Sequence, residues 1–313
     1  MSISNLAEFL AASGAQYRVF DMGRRVTCLP QQDFEAIAAG TQPYPMPLKR
    51  HAWLGIVFWQ TQPFIWFVHL PVDEQGLLEQ GASAQFMALV MAAMQSDSNE
   101  LPDNPFTFKP TMEKLASFHS QIRLLLGEPA SLHYEQAQSY FRGQLPWQDW
   151  SQLGVQGIAD VAVRDRHQDW FRDNLAQLPA PVLEALCQQL EHLSLPQELV
   201  EALYQLFLSK GKLCLARALA GSDRAEQVVD QLLTRGDLQA LVAIAGRLWK
   251  PLQDPARLQP FLEQAAELAE GDGFRALFAD LVMLPDLRVF ILALLRQPQS
   301  PALAQALDRL AAK

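Results

Sequence analysis

His69 closes an apolar run and is followed by Leu70-Pro71-Val72-Asp73-Glu74, which puts an imidazole and two carboxylates close together along the chain. Such a set can work as an acid–base pair near neutral pH. The same residues also suit a strand that simply ends: the histidine caps it, and Asp73 and Glu74 open the loop into a helix whose N-terminus favours carboxylates. A second cluster is RDRHQDWFRD at residues 164–173, which alternates in charge. An alternating run is normally a solvated helix face. Trp170 and Arg172 within it are nonetheless residue types that concentrate binding energy where proteins meet, and they are candidates for a polar contact with a partner.

Trp53, Trp59 and Trp66 could stack bases or sugars, but Ile56, Val57, Phe58, Ile65 and Phe67 surround them and no arginine pair is near, which favours core packing. Gly154-Val155-Gln156-Gly157 has the outline of a backbone-clamping GxxG loop; with no basic residues ahead of it, it reads as a helix junction. GxGxxG, P-loop, HExxH, GxSxG and CxxC patterns are absent, and no two of the six histidines stand three or four residues apart. Local sequence therefore supplies no phosphate cradle, nucleophile elbow or helix-borne metal site. The expectation is no cofactor, no metal and no assigned catalytic residue.

The chain that must position these groups has 313 residues, half of them hydrophobic and 19% charged, enough apolar side chain to build a core. Its net charge of −9 gives no positive field for phosphates or an anionic membrane, which argues against nucleic acid and membrane partners. Cys28, Cys187 and Cys214 are too few and too scattered for a disulfide framework and fit a reducing compartment. The opening residues lack a basic region and a long apolar core, so no export signal is read there. Residues 52–72 are apolar, but Gln60-Thr61-Gln62-Pro63 interrupts them, which makes two strands and a turn rather than a membrane span. The expected location is the cytoplasm.

Aromatic and β-branched residues concentrate before about residue 125, and leucine, alanine and glutamine dominate beyond it. The front reads as a helix around Leu6, Phe9 and Leu10 with Asn5 and Glu8 in capping-box spacing, then a hairpin turning at Asp21-Met22-Gly23. A helix near Asp33–Ala39, a proline-punctuated extended piece at 43–47, strands at 52–59 and 63–70, and a helix over roughly 79–95 follow. Because the two strands are apolar on both faces, both are expected to be covered on both sides. Residues 97–110 read as a polar loop, and 111–126 as a helix ended by Gly127.

In the back half, Asp223, Asp237, Asp254, Asp272, Asp286 and Ser300 stand as candidate helix starts at intervals of 14 to 18 residues. Apolar stripes recur at helical spacing, as in Leu183, Leu186, Leu190 and Leu193. Short helices cannot bury such stripes alone, so they stack in pairs, one pair per 28 to 35 residues. The fold class expected is α+β: a mixed α/β domain at 1–126, short connecting helices at 127–178, and an all-α, HEAT-like array at 179–313. A compact irregular bundle is the rival for the last part.

The stretches QYRVFDMGRRV (16–26), QPYPMPLKRHAW (42–53) and FIWFVHLPVDEQGLLEQGA (64–82) resemble those of an uncharacterised bacterial family, domain of unknown function 3549, over the whole length. The aromatic hairpin leading to Asp73-Glu74-Gln75-Gly76-Leu77-Leu78 is the most specific part. The resemblance implies a bacterial cytoplasmic protein of this two-part layout and transfers no activity. It also draws attention to Asp21, Gly23, Arg24 and Arg25, whose turn is either more than a generic loop or a structural hairpin with solvated arginines. Two functions follow as expectations: a non-enzymatic adaptor that presents a helical-repeat surface to another protein, or an enzyme or small-ligand binder using His69, Asp73, Glu74, Arg24 and Arg25 in the front domain or at the junction.

Overall fold

The computed structural model describes residues 4–95, 103–269 and 272–311. The chain divides into two compact units: Met1–Pro110 with Phe278–Arg296, and Thr111–Leu277 with Gln297–Lys313.

Asn5 caps the first helix, α1 (Leu6–Ala12), by accepting from the Glu8 amide at 3.0 Å, while the Glu8 carboxylate reaches back to the Ser4 amide at 2.8 Å. The Asn5 side chain thus satisfies one donor of the helix start, as the Asn5/Glu8 spacing predicts, while the Glu8 carboxylate takes the amide one residue before the cap instead of that of the cap itself. The chain then forms β1 (Gln16–Asp21), β2 (Thr27–Leu29), α2 (Gln31–Ala38), β3 (His51–Trp59), β4 (Pro63–Pro71) and α3 (Gln80–Gln95). The strands make one antiparallel sheet in the order β2-β1-β3-β4, with Val19, Ile56 and Trp66 in register across it. Tyr17, Val19, Leu54, Ile56, Val68 and Leu70 put their side chains into a core shared with Leu6 and Leu10 of α1, Phe34 and Ile37 of α2, and Phe86 and Val90 of α3.

The expectation that both long strands are covered on both faces holds for β3 alone. β3 lies inside the sheet, whereas β4 is at its edge and Phe64 is 61% exposed. Apolar composition does not distinguish a fully covered strand from one whose aromatic side chains bury only part of their surface. The edge is partly occupied by the stretch expected to be a polar loop. Residues 97–102 of that stretch lie outside the described residues, but the His69 amide donates to the Phe106 carbonyl at 2.7 Å and the Phe108 amide to the Phe67 carbonyl at 3.1 Å.

The second unit is helical: α4 (Met112–Leu125), α5 (Tyr134–Phe141), α6 (Val155–Asp165), α7 (Asp169–Asp173), α8 (Ala180–Leu190), α9 (Gln197–Lys210), α10 (Leu213–Ala218), α11 (Ala225–Arg235), α12 (Leu238–Arg247) and α13 (Pro255–Leu268). After α14 (Asp272–Val282), α15 (Pro285–Leu294) belongs to the first unit and α16 (Pro301–Ala311) to the second. Asp237 and Asp254 cap α12 and α13, accepting from Ala240 N at 2.7 Å and Ala256 N at 2.9 Å, and Ser300 precedes α16.

Two expected starts differ. Asp223 sits before the Arg224 cap position and accepts from Gln197 Nε2 at 3.0 Å. Asp286 lies inside the first turn of α15, because Pro285, with its fixed φ and missing N–H, takes the first helical position. Among the described residues no helix is long and apolar enough to cross a membrane.

Candidate functional site

In the first unit the turn after β1 folds around a buried carboxylate. Asp21 Oδ1 accepts from the Gly23 amide at 3.3 Å, Oδ2 accepts from the Arg24 and Arg25 amides at 3.1 and 2.9 Å, and the Tyr44 hydroxyl donates to Oδ1. Burial, and then the Asp21 charge, hold the Tyr44 hydroxyl well above its usual range, so it remains a donor. Arg24, expected either as a site residue or as solvated, is 1% exposed. Its Nε donates to the Pro47 carbonyl at 3.0 Å and its Nη2 meets Asp280 Oδ2 at 2.8 Å, tying the turn to the last part of α14. Arg25 is half-buried beside it.

His69 stacks on Trp53 with ring centroids 4.8 Å apart and has His51 and Phe108 as further ring neighbours. Its buried Nδ1 has no hydrogen-bond partner. Burial, with His51 adding to it, holds the imidazole below its ordinary range. Asp73 is used locally: Oδ1 accepts from the Gln75 and Leu77 amides at 2.8 and 2.9 Å. Glu74 pairs on the surface with Arg50 at 3.2 Å. Among the described residues no hydrogen bond joins His69 to Asp73 or Glu74, so the structure does not assemble these three as an acid–base pair.

In the second unit, the charged run 164–173 is split between α6 and α7. Asp165 is buried and accepts from the Tyr134 hydroxyl at 2.8 Å, whereas Arg172 pairs with Asp169 and Asp173, both at 3.1 Å. Trp170 carries the Arg142 guanidinium 5.0 Å above its ring. Gly154 and Gly157 form no loop: Gly154 precedes α6 and Gly157 lies in its first turn, where an added Cβ would stand 2.7 Å from the His133 carbonyl.

The arrangement with the most chemistry lies between α8, α10 and α12. Glu191, just past the end of α8 and 2% exposed, accepts from Arg217 Nε and Nη2 at 2.8 and 3.0 Å and from Arg247 Nε at 2.9 Å. Burial alone would raise its carboxyl; the Arg247 charge, the Arg217 hydrogen bond and His192 outweigh it, and the net shift is downward. Above this ion cluster is a groove of about 590 Å³, lined by Glu184, Cys214, Arg217, Leu238, Val242 and Arg247 among others. Leu238 and Val242 are 42% and 52% exposed, one helical turn apart on α12, while Leu241, Ile244 and Ala245 on the other side are buried.

A family model described as "Protein of unknown function (DUF3549)" matches residues 1–311. The chain belongs to that family. No curated protein and no solved structure matches it. The Glu191 cluster of this DUF3549 member escaped the sequence reading because its three charges are spread over 57 positions, Glu191 through Arg247 inclusive. A signal was present: Glu191 follows Leu183 and Cys187 at four-residue steps, on the apolar stripe of α8, and a carboxylate placed there requires a buried cationic partner.

Proposed function

We propose that this DUF3549 member is a bacterial, cytoplasmic interaction or adaptor protein and that the groove between α8, α10 and α12 receives a partner protein. The observation that carries this reading is the exposure of Leu238 and Val242 on the solvent side of α12, whose Leu241, Ile244 and Ala245 are buried. Apolar side chains repeated at i and i+4 beside a groove are the arrangement by which helix faces meet partner segments. Arg217 and Arg247 supply polar margins already oriented by Glu191, so little side-chain order has to be gained on docking. The succession α8 to α13 is read as HEAT-like pairs that hold the groove in shape. The negative net charge favours a protein over a nucleic acid as the occupant.

The test is affinity capture with the full chain and its Val242→Asp variant, a change at an exposed position that should leave the fold intact. The reading requires a stoichiometric partner whose recovery drops at least about tenfold with Val242→Asp and is unchanged with Phe64→Asp in the first unit. Recovery lost with Phe64→Asp and retained with Val242→Asp would overturn it.

A further inference from the structure

Cys187 and Cys214 lie on helices that pack directly against one another, α8 and α10, and one turn further along each helix direction Glu191 and Arg217 meet at 2.8 Å, so the two cysteines stand on the sides of the helices that face each other. The two differ in setting. Cys187 is buried on the core side of α8, whereas Cys214 is half-exposed and lines the groove of about 590 Å³. A small solute can therefore reach one sulfur of the pair, and the second waits behind it.

We propose that Cys187 and Cys214 form an oxidisable dithiol, with Cys214 as the sulfur that meets a hydroperoxide in the groove and Cys187 as the sulfur that resolves it. In the first step the Cys214 thiolate attacks the terminal peroxide oxygen. An S–O bond forms, the O–O bond breaks, and the leaving alkoxide or hydroxide takes up a proton; sulfur is oxidised to the sulfenic acid and the peroxide is reduced to an alcohol or water. In the second step Cys187 attacks the Cys214 sulfur. An S–S bond forms, the S–O bond breaks, and the hydroxide leaves as water with the Cys187 proton.

The surroundings suit this division of roles. The neighbouring Cys187 side chain is the largest influence lowering the Cys214 thiol, to about 7, with burial and Glu184 opposing it and the Leu215 amide and Lys212 helping. Cys187 is pushed up, first by the Cys214 side chain and then by burial, the Cys214 charge and Glu191, with Arg217 opposing, so it keeps its proton until the second step. Cys28 is an internal reference, since burial raises its thiol as well and it belongs to the first unit.

The test uses the native full chain. Brief competitive alkylation with iodoacetamide near neutral pH should label Cys214 at least about tenfold faster than Cys28. Treatment with hydrogen peroxide should then give an intramolecular Cys187–Cys214 cross-linked peptide in non-reducing mass spectrometry, reversed by dithiothreitol. In Cys187→Ser, oxidation should stop at a Cys214 sulfenic acid that a 1,3-diketone probe traps. Equal labelling of Cys214 and Cys28, an intermolecular disulfide, or oxidation of Cys214 to the sulfinic acid without the cross-linked peptide would each overturn the proposal. Because the alkylation and peroxide arms need no variant, a Cys187→Ser chain that fails to fold leaves them decisive.

Discussion

Glu191 is a carboxylate that the fold can keep ionised inside a helical unit only because two guanidiniums reach it. Removing one member of a buried pair leaves the others uncompensated, and the cost exceeds the value of the bond itself. Glu191→Gln should therefore destabilise the second unit by roughly 3 kcal/mol, near the low end for a buried pair because Arg217 and Arg247 retain solvent contact. Urea unfolding at neutral pH reads this as a lower midpoint. Its folded carboxyl lies below the ordinary value of 4.5, so the stabilisation is complete above that pH and is lost as pH falls through the folded value. Glu191→Gln should flatten this acid limb.

His69 is also held below its ordinary value of 6.5, but the lowered state here is the neutral one. Protonation then favours the unfolded chain, and stability declines as pH drops below that value toward the folded one. His69→Gln should weaken the decline between about pH 7 and pH 5, measured by unfolding midpoints across that range. Both residues were visible as letters in the sequence. What was not visible is that His69 faces Trp53 rather than Asp73, because strand register, not sequence distance, decides which side chains meet.

At the scale of elements, the sequence was most legible where one residue determines a local shape. The Asn5, Asp237 and Asp254 caps and the left-handed glycines after α2 and α4, Gly40 and Gly127, stand where their chemistry places them. It was least legible where two elements approach. GVQG reads as a helix junction, but nothing in those four residues tells that Gly157 lets α6 lie against the start of α5 with no side chain between. Gly157→Ala puts a methyl against backbone, which cannot yield as a side-chain tip can, and should cost about 1–3 kcal/mol. Gly246→Ala is the matched contrast. It lies in α12 with nothing near the added Cβ, and the gain in helix propensity should stabilise by about 0.5–1 kcal/mol. Urea midpoints of the two variants should move in opposite directions.

At the scale of the whole molecule, the first unit is completed by a segment far along the chain. Arg24, expected from sequence as either a site residue or a solvated arginine, is an internal tie in the structure, donating to Asp280 and to the Pro47 carbonyl. Composition cannot announce this, because residues 278–296 share the leucine-rich character of the helices on either side of them. Arg24→Met should loosen that segment, seen as faster amide exchange over residues 284–294 with exchange in α8 unchanged.

The central claim concerns where a partner sits, and hydroxyl-radical footprinting of the captured complex against the free chain reads it side chain by side chain. Leu238 and Val242 should lose reactivity in the complex while Phe64 and Met91, exposed in the first unit, keep theirs. Protection of Phe64 and Met91 with Leu238 and Val242 unchanged would contradict the assignment of the groove as the docking surface.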